Sequence, residues 1–532
     1  MNQSALSMIV GGIIRVVQGF AQASPTLLVG LLIAAILRYY LRPDGTRRLF
    51  GGDNWRSLPQ SWLVGMLLPV CSIGVLPILL EMRRAKVKPG AMSAFALSAP
   101  LFNPLSLLYG LTLSRPLVII LFAIGSLIVV TSLGLIWDAF TKREEKETDA
   151  ANSETDDEAS ADQLIGLRRL FATVVHFSRE ATGQTLVLTI LALSGLAVLA
   201  AILPYGSMQH SVERDDLWAP LKMLLVAVPV YATPMLAMSQ MGMMFQHANS
   251  PGASFTLLIL GTGMNFATPY WFGRNYGWKA AARWMLALLT IVITISYAIN
   301  RPLIPPGVEP AGHTHAFDVY TNPLSAFQAV NWATFQELVS KSIDISTTAS
   351  LIVLGVVILL GLIFRQFGID EAWLIKGASQ KSFSSSIEQG NASRSSLDLI
   401  VPSGVIGATM LAGLVAMSIV ACFAYYPPAE ECLDEISVAR AECLSAANSG
   451  QVDHAMFWLP VWEDWSRRLE VGTMLRTGTL RPYQRMQGYL IRKKLETLEH
   501  ELEHDPFEQD ETQKVVRDLL ATNSRWVRSF RE

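Results

Sequence analysis

Apolar residues come in long blocks along this chain, separated by short polar stretches. A helix that crosses a bilayer needs about 20 predominantly apolar residues. Runs of that order fall near 25–41, 91–113, 116–137, 183–203, 253–272, 280–299, 349–366 and 399–426. Two further apolar segments, 62–80 and 218–238, are interrupted. Pro69, Gly74 and Pro77 break the first, and Pro229 and Pro234 break the second. Proline removes a backbone N–H and clashes with the preceding turn. These segments are therefore predicted as pairs of half-helices, either kinked spans or re-entrant hairpins. In lipid such a break survives only where protein or a water-filled cavity covers the freed backbone groups. The pattern predicts an all-α polytopic membrane protein. Ser4 to Phe20 is expected to be an interfacial or partly buried helix leading into the first span, because Arg15 interrupts it. Ala21-Gln22-Ala23 resembles a signal-peptidase site, but no positive residue precedes the apolar stretch, so a cleaved leader is not expected.

The two interrupted segments head two similar stretches. Lys88-Pro89-Gly90-Ala91 is echoed by Ser250-Pro251-Gly252-Ala253, and Asn103 by Asn265, each pair about 160 residues apart. Their shared order points to an internal duplication. Loop charge adds orientation. Arg42, Arg47, Arg48 and Arg56 precede the first interrupted segment, and Arg83, Arg84, Lys86 and Lys88 follow it. Both loops read as cytoplasmic. Around the second segment the signs reverse: loop 204–217 has only Arg214, and loop 239–252 has no Lys or Arg. The expectation is an inverted-topology repeat, with residues 1–140 as its first half and 181–300 as its second. Interrupted helices at corresponding places in two halves are the best sequence pointer to a transport site.

Composition agrees with a membrane protein. Of 532 residues, 51% are hydrophobic and 16% charged, with a mean hydropathy of +0.35. Soluble domains carry about 25% charged residues. A net charge of −2 and the lack of a basic patch with interleaved aromatics give no sign of a nucleic-acid partner. Residues 141–180 hold an acidic linker, Lys142 to Gln163, without core-forming side chains, and disorder is expected there. Residues 301–426 read as a Pro-rich outer loop and a two-span extension with a Ser-rich connector at 377–397. Residues 427–532 read as a polar helical tail, clearest where charges alternate around Leu495, Leu498 and Leu502. Span parity puts that tail outside, where Cys432 and Cys443 are expected to pair.

Chemistry-bearing residues are few inside the spans. Cys71 and Ser72 sit at the first break and Thr233 at the second. Cys71 is either a soft ligand or a small buried packing residue, since free cysteine behaves as a small hydrophobe. The hydroxyls of Ser72, Thr233 and Thr262 suit a substrate or the backbone groups that proline and glycine release. Asn103 and Asn265 carry amides within apolar spans, which is costly without partners, so a site-related role is expected. Gly261 and Gly263 permit the close helix approach such contacts need. Met235, Met238, Met241, Met243 and Met244 wrap around a helix and read as packing rather than as metal ligands. His313, His315 and Asp318 read as exposed polar residues rather than a metal site. There is no Walker A sequence or Gly-rich phosphate loop, so no nucleotide cofactor is expected. Glu81 and Asp138 lie at span edges, which leaves the coupling ion unassigned.

The stretch Pro69-Val70-Cys71-Ser72-Ile73-Gly74-Val75-Leu76-Pro77 resembles the signature of a bacterial "predicted permease" family that includes efflux permeases for trivalent organoarsenicals. Arg83-Arg84, Pro89-Gly90-Ala91, Phe95-Ala96-Leu97, Ala99-Pro100 and Asn103-Pro104 fit the same pattern, and the resemblance covers roughly residues 10–300. It departs in two places. Ile73 stands where the family's second cysteine is usual, and Tyr231-Ala232-Thr233 stands where the second repeat often has a cysteine or serine. Arsenic(III) prefers several thiolates, so the substrate does not carry over with the family. The expected function is a multi-pass inner-membrane permease, not an enzyme. It would export a small solute, ion or metalloid through a midplane site of Cys71, Ser72, Asn103, Thr233 and Asn265, shaped by Pro69, Gly74, Pro77, Pro229 and Pro234. The lipid bilayer and the solute are its expected partners, and a homo-oligomer is compatible with everything above. The rivals are an anion pore, which would show non-saturable flux, and a scaffold acting through the tail, which would bind a partner protein.

Overall fold

Every regular element among the described residues of the computed structural model is helical. Those residues are 5–52, 54–113, 116–148, 167–304, 314–324, 330–340, 343–370, 373, 403–503 and 508–531. Six helices among them are long and apolar enough to cross a membrane: Ala5–Leu49, Pro116–Thr141, Leu167–Ile202, Trp278–Asn300, Ser346–Gln366 and Gly404–Tyr425. The expected Ser-rich connector at 377–397 and the middle of the acidic linker lie outside the described residues.

The chain divides into two units, Met1–Asn103 with Ile120–Val415, and Pro104–Ile119 with Ala416–Glu532. In the first, helix α1 (Ala5–Ile36) continues through a π-helical turn (Leu37–Leu41) into α2 (Arg42–Leu49). Short helices follow: α3 (Ser57–Leu67), α4 (Val75–Arg84) and α5 (Pro89–Ser98). After α6 (Pro104–Leu113) comes the long α7 (Pro116–Thr148). Then come α8 (Leu167–Ala181), α9 (Gln184–Ile202), α10 (Ala219–Ala227) and α11 (Pro234–Gln246). Helix α12 (Pro251–Thr256) runs into a second π-helical turn (Leu257–Thr262), followed by α13 (Ala267–Tyr276) and α14 (Trp278–Asn300). Helices α15 (Trp332–Ser340), α16 (Ile345–Gln366) and α17 (Ser403–Tyr425) complete the described apolar part of the chain.

Several expectations change. The N-terminal stretch takes the partly buried form of the two expected, with no break before the first span. It is the first part of one continuous helix, packed along α9, with Gly11, Gly12, Ile14, Gln18 and Gly19 buried. Arg15 fits there because backbone carbonyls receive it: Nε donates to Thr321 O (2.9 Å) and Nη2 to Asp318 O (2.5 Å). The runs 91–113 and 253–272 are not continuous spans, since non-helical links separate α5 from α6 and the π turn after α12 from α13. The expected linker is narrower than 141–180. Helix α7 reaches Thr148, and α8 begins at Leu167 and buries Ala172, Val175, Ser178 and Ala181.

The second unit has its own core. Helices α18 (Ala429–Asn448), α19 (Val452–Thr477), α20 (Pro482–Glu503) and α21 (Gln509–Arg531) pack around Ile436, Trp462, Leu469, Leu495, Leu519 and Trp526. Leu498 and Leu502 join them, so the apolar spacing read within the charged tail marks a buried face. Helix α6 belongs to this unit: Tyr109 stacks on Tyr426 with ring centroids 6.5 Å apart, and the Thr112 hydroxyl meets Met474 Sδ at 2.9 Å. Arg467 bonds Glu463 (2.5 Å), and the buried Glu470 pairs with Arg492.

Cys432 and Cys443 do not form the expected disulfide; both are free and buried. They share helix α18 three turns apart, about 16 Å at 1.5 Å per residue, far beyond the roughly 7 Å that a disulfide tolerates. Burial pushes both thiols up to about 12, which keeps them protonated at neutral pH.

Candidate functional site

Each interrupted segment turns at a residue that accepts a backbone N–H three positions ahead. At the first, Leu68–Gly74 leaves the helix between α3 and α4, and Cys71 Sγ accepts from Gly74 N–H at 3.4 Å. At the second, Thr233 caps α11, its Oγ1 accepting from Leu236 N–H at 3.3 Å. A free N–H at a helix start is satisfied this way in place of the missing intrahelical bond. Pro69 lies in the first link, Gly74 closes it, and Pro77 falls in the first turn of α4. Pro229 lies in the second link, and Pro234 opens α11.

Glycines let two long helices come against these links. A Cβ on Gly30 of α1 would lie 2.1 Å from the Gly74 carbonyl oxygen, and one on Gly195 of α9 would lie 1.9 Å from Pro229 O. Only glycine permits such approaches without displacing backbone. The later links are drawn in as well. Ala232 N–H donates to Gly261 O at 3.1 Å, a Cβ on Gly263 would lie 3.2 Å from Leu97 O, and one on Gly65 would lie 2.9 Å from Ala99 N. Ala232 thus joins the 228–233 link to 261–266, while Gly263 lies against α5 and Gly65 of α3 against the 99–103 link.

The start of the helix after each interrupted segment is tied down by the long helix that follows. Gly90 N–H donates to Asp138 Oδ1 (2.7 Å), and Gly252 N–H to Asn300 Oδ1 (3.0 Å). Trp62 Nε1 donates to the Ser126 hydroxyl (3.0 Å), joining α3 to α7, and Trp284 Nε1 to Ser93 (2.7 Å), joining α14 to α5.

Among the expected site residues, Cys71 and Ser72 are fully buried, and the Ser72 hydroxyl has no hydrogen-bond partner. Asn265 caps α13, its Oδ1 accepting from Ala267 N–H (2.8 Å) and Thr268 N–H (3.3 Å), while the buried Nδ2 has no partner. Asn103 is buried in the corresponding link, directly before α6. Thr262 bonds the Leu258 carbonyl within its own helix. Met238, Met241 and Met244 pack in the core. His315 Nδ1 lies 2.9 Å from Asp318 Oδ2, which also accepts from Gln209 at 3.1 Å; His313 lies outside the described residues.

Sequence reasoning missed two features. Tyr231 reaches from the second link to the first: its hydroxyl, buried without a hydrogen-bond partner, lies beside Cys71 and Thr26. Its flanking prolines were the available signal. Glu81, read as a span-edge group, is buried among Arg38 (3.7 Å), His176 Nε2 (3.4 Å) and Arg84. Arg84 is at i+3 on the same helix, but no local pattern links Glu81 to Arg38 and His176.

A segment after α14 covers this region. The Tyr320 hydroxyl donates to Gln240 Oε1 (2.6 Å), Gln240 Nε2 donates to Ala316 O (2.7 Å), and Gln18 reaches Leu338 O (2.8 Å). Burial pushes the Tyr320 phenol well above its usual range. Beneath the segment a narrow cleft is lined by Arg15, Gln18, Gln22, Tyr231, Leu236 and Tyr320.

Six described helices long and apolar enough to cross a membrane make this a candidate multi-pass membrane protein. Residues 17–301 match the model of the family described as "Predicted permease", and the chain belongs to that family. It is similar to the UPF0718 protein YcgR of Bacillus subtilis, 28% identical over 86 residues, which cover 16% of this chain and 29% of that protein. It is also similar to a putative two-component membrane permease complex subunit of Streptococcus mutans, 26% identical over 117 residues, 22% of this chain and 39% of that protein. The chain thus spans well under half the length of either relative. No solved structure matches it.

Proposed function

We propose that the protein is a secondary permease of the inner (plasma) membrane, built from two inverted-topology repeats. It exports a small solute or metalloid through a site between the interrupted helices. The observation that carries this reading is the meeting of Cys71, from the first interruption, with Tyr231, from the second. Equivalent contacts in the two halves support the repeat. Gly90 and Gly252, Asp138 and Asn300, Cys71 and Thr233, and Asn103 and Asn265 all keep one common separation along the chain. Rocking one repeat against the other would expose the site alternately to the two sides. Cys71, Ser72, Asn103, Thr233 and Asn265 contact the solute or hold the links around it. Buried donors without partners, the Ser72 hydroxyl and Asn265 Nδ2, support that assignment, because such groups are costly unless something bonds them.

The test is resistance and retained arsenic in a sensitive bacterial host challenged with trivalent organoarsenicals. The wild type should confer resistance, and Cys71→Ser should abolish it. A wild type that reaches the membrane yet confers none rules out the metalloid and moves the search to solutes that need no thiol.

A second reading adds a partner protein. It is favoured by the separate core of the second unit and by the description of the Streptococcus mutans relative as a complex subunit. Crosslinking of the full-length chain in membranes, with a defined heteromeric product, would support it.

A further inference from the structure

The cleft beneath the 314–324 segment and the Cys71 thiol share one wall, the side chain of Tyr231. Tyr231 lines the cleft together with Arg15, Gln18, Gln22 and Tyr320, whereas Cys71 does not line it and has no exposed surface. On its other side the Tyr231 hydroxyl lies beside Cys71 and Thr26. The side chain belongs to the non-helical link Val228–Thr233, so no preceding helical turn restricts its rotamer. Gly19 lies against the ring, a Cβ there falling at ordinary contact distance, 3.8 Å, from Tyr231 Cδ1. The hydroxyl is buried with no well-formed hydrogen bond, only Cys71 and Thr26 beside it, so turning it toward the polar side chains of the cleft gives up weak contacts alone.

We propose that Tyr231 is the gate between the Cys71 site and this cleft, and that a solute passes between them only when the side chain swings aside. The inference rests on the site assignment above and adds the residue that controls access from one side.

The native thiol makes the test direct, and no transported solute is needed. Full-length protein in right-side-out and inside-out membrane vesicles is treated with a membrane-impermeant maleimide, and modification of Cys71 is read by peptide mass spectrometry. In Tyr231→Ala, labelling from the side that carries the 314–324 segment should be at least about tenfold faster than in wild type, as expected when a closed state is removed. Labelling from the other side should be unchanged. Tyr231→Phe keeps the ring and should stay within about threefold of wild type. Should Tyr231→Ala fail to reach the membrane as a monodisperse protein, Tyr231→Val serves the same purpose. Gln22→Trp, which fills the cleft from its opposite lining, should slow labelling of Tyr231→Ala. Equal rates in wild type and Tyr231→Ala, or acceleration from both sides alike, would overturn the gate. Loss of arsenical resistance bears on the solute alone, so the two readings fail separately.

Discussion

At the first interruption a sulfur accepts the Gly74 N–H; at the second a hydroxyl accepts the equivalent N–H of Leu236. The positions correspond and the backbone task is the same, yet the atoms are not equally suited to it. Threonine is a preferred N-cap residue, whereas a thiol sulfur is a weak acceptor. The 3.4 Å contact at Cys71, on the N–H of Gly74 just before α4, is therefore the weaker one, and serine or threonine would do that work better. What distinguishes Cys71 is its chemistry as a thiol, placed beside a phenol from the other half. The two turns share a backbone arrangement and differ in the group each carries there.

The shared scaffold can be broken symmetrically, and this gives the largest expected effects. Gly30→Ala and Gly195→Ala would each drive a methyl into a backbone carbonyl, at 2.1 Å and 1.9 Å respectively. Overpacking of this kind costs about 1–3 kcal/mol, occasionally more. Both variants should melt lower in detergent than wild type, and by similar amounts. Gly355→Ala in α16, where nothing lies within 4 Å of the added Cβ, should leave the melting temperature unchanged or raise it. A large loss at one site only would mean that the two interruptions are not equivalent supports.

The sequence announced these interruptions through proline, because a missing N–H is a local property. Residues 99–103 were read as part of one span even though Pro100 and Pro104 flank Asn103, because the link itself is apolar and hydropathy averages across it. Gly261 and Gly263 gave a similar unheeded signal before Asn265. For Tyr231 the flanking prolines were the only signal, and they could not name its neighbour Cys71, which is distant in the chain. The same holds for Glu81 with Arg38 and His176, and for α6 with the C-terminal helices. The disulfide expectation failed for a related reason: nearness in sequence is not nearness in space once both cysteines share one straight helix.

The second contrast lies at the anchors of α5 and α12. A carboxylate accepts the Gly90 N–H at 2.7 Å, while an amide oxygen accepts Gly252 N–H at 3.0 Å and the Ser250 hydroxyl at 2.7 Å. Hydrogen bonds to a charged group are worth about 1.5–3 kcal/mol and neutral ones about 0.5–1.5. Asp138→Ala should therefore destabilise more than Asn300→Ala in thermal melts. Asp138→Asn keeps an acceptor and should recover most of the difference. If Asn300→Ala proved the costlier change, the two bonds it receives would outweigh the charge on Asp138.

The finest contrast returns to the caps. Thr233→Ala removes a hydroxyl cap and should cost about 0.5–2 kcal/mol, while Thr233→Ser should be nearly silent. Cys71→Ala removes the weaker sulfur contact, and its cost should sit at or below the low end of that range, about 0.5 kcal/mol. Function should rank them in the opposite order: Cys71→Ala abolishes thiol-dependent resistance while the fold melts almost as wild type, and Thr233→Ala softens the fold while resistance persists. Melting temperature and resistance measured on the same two variants decide the matter. A Cys71→Ala protein that loses as much stability as Thr233→Ala would make the thiol a structural cap after all, and the contrast between the two interruptions would reduce to a choice of capping atom.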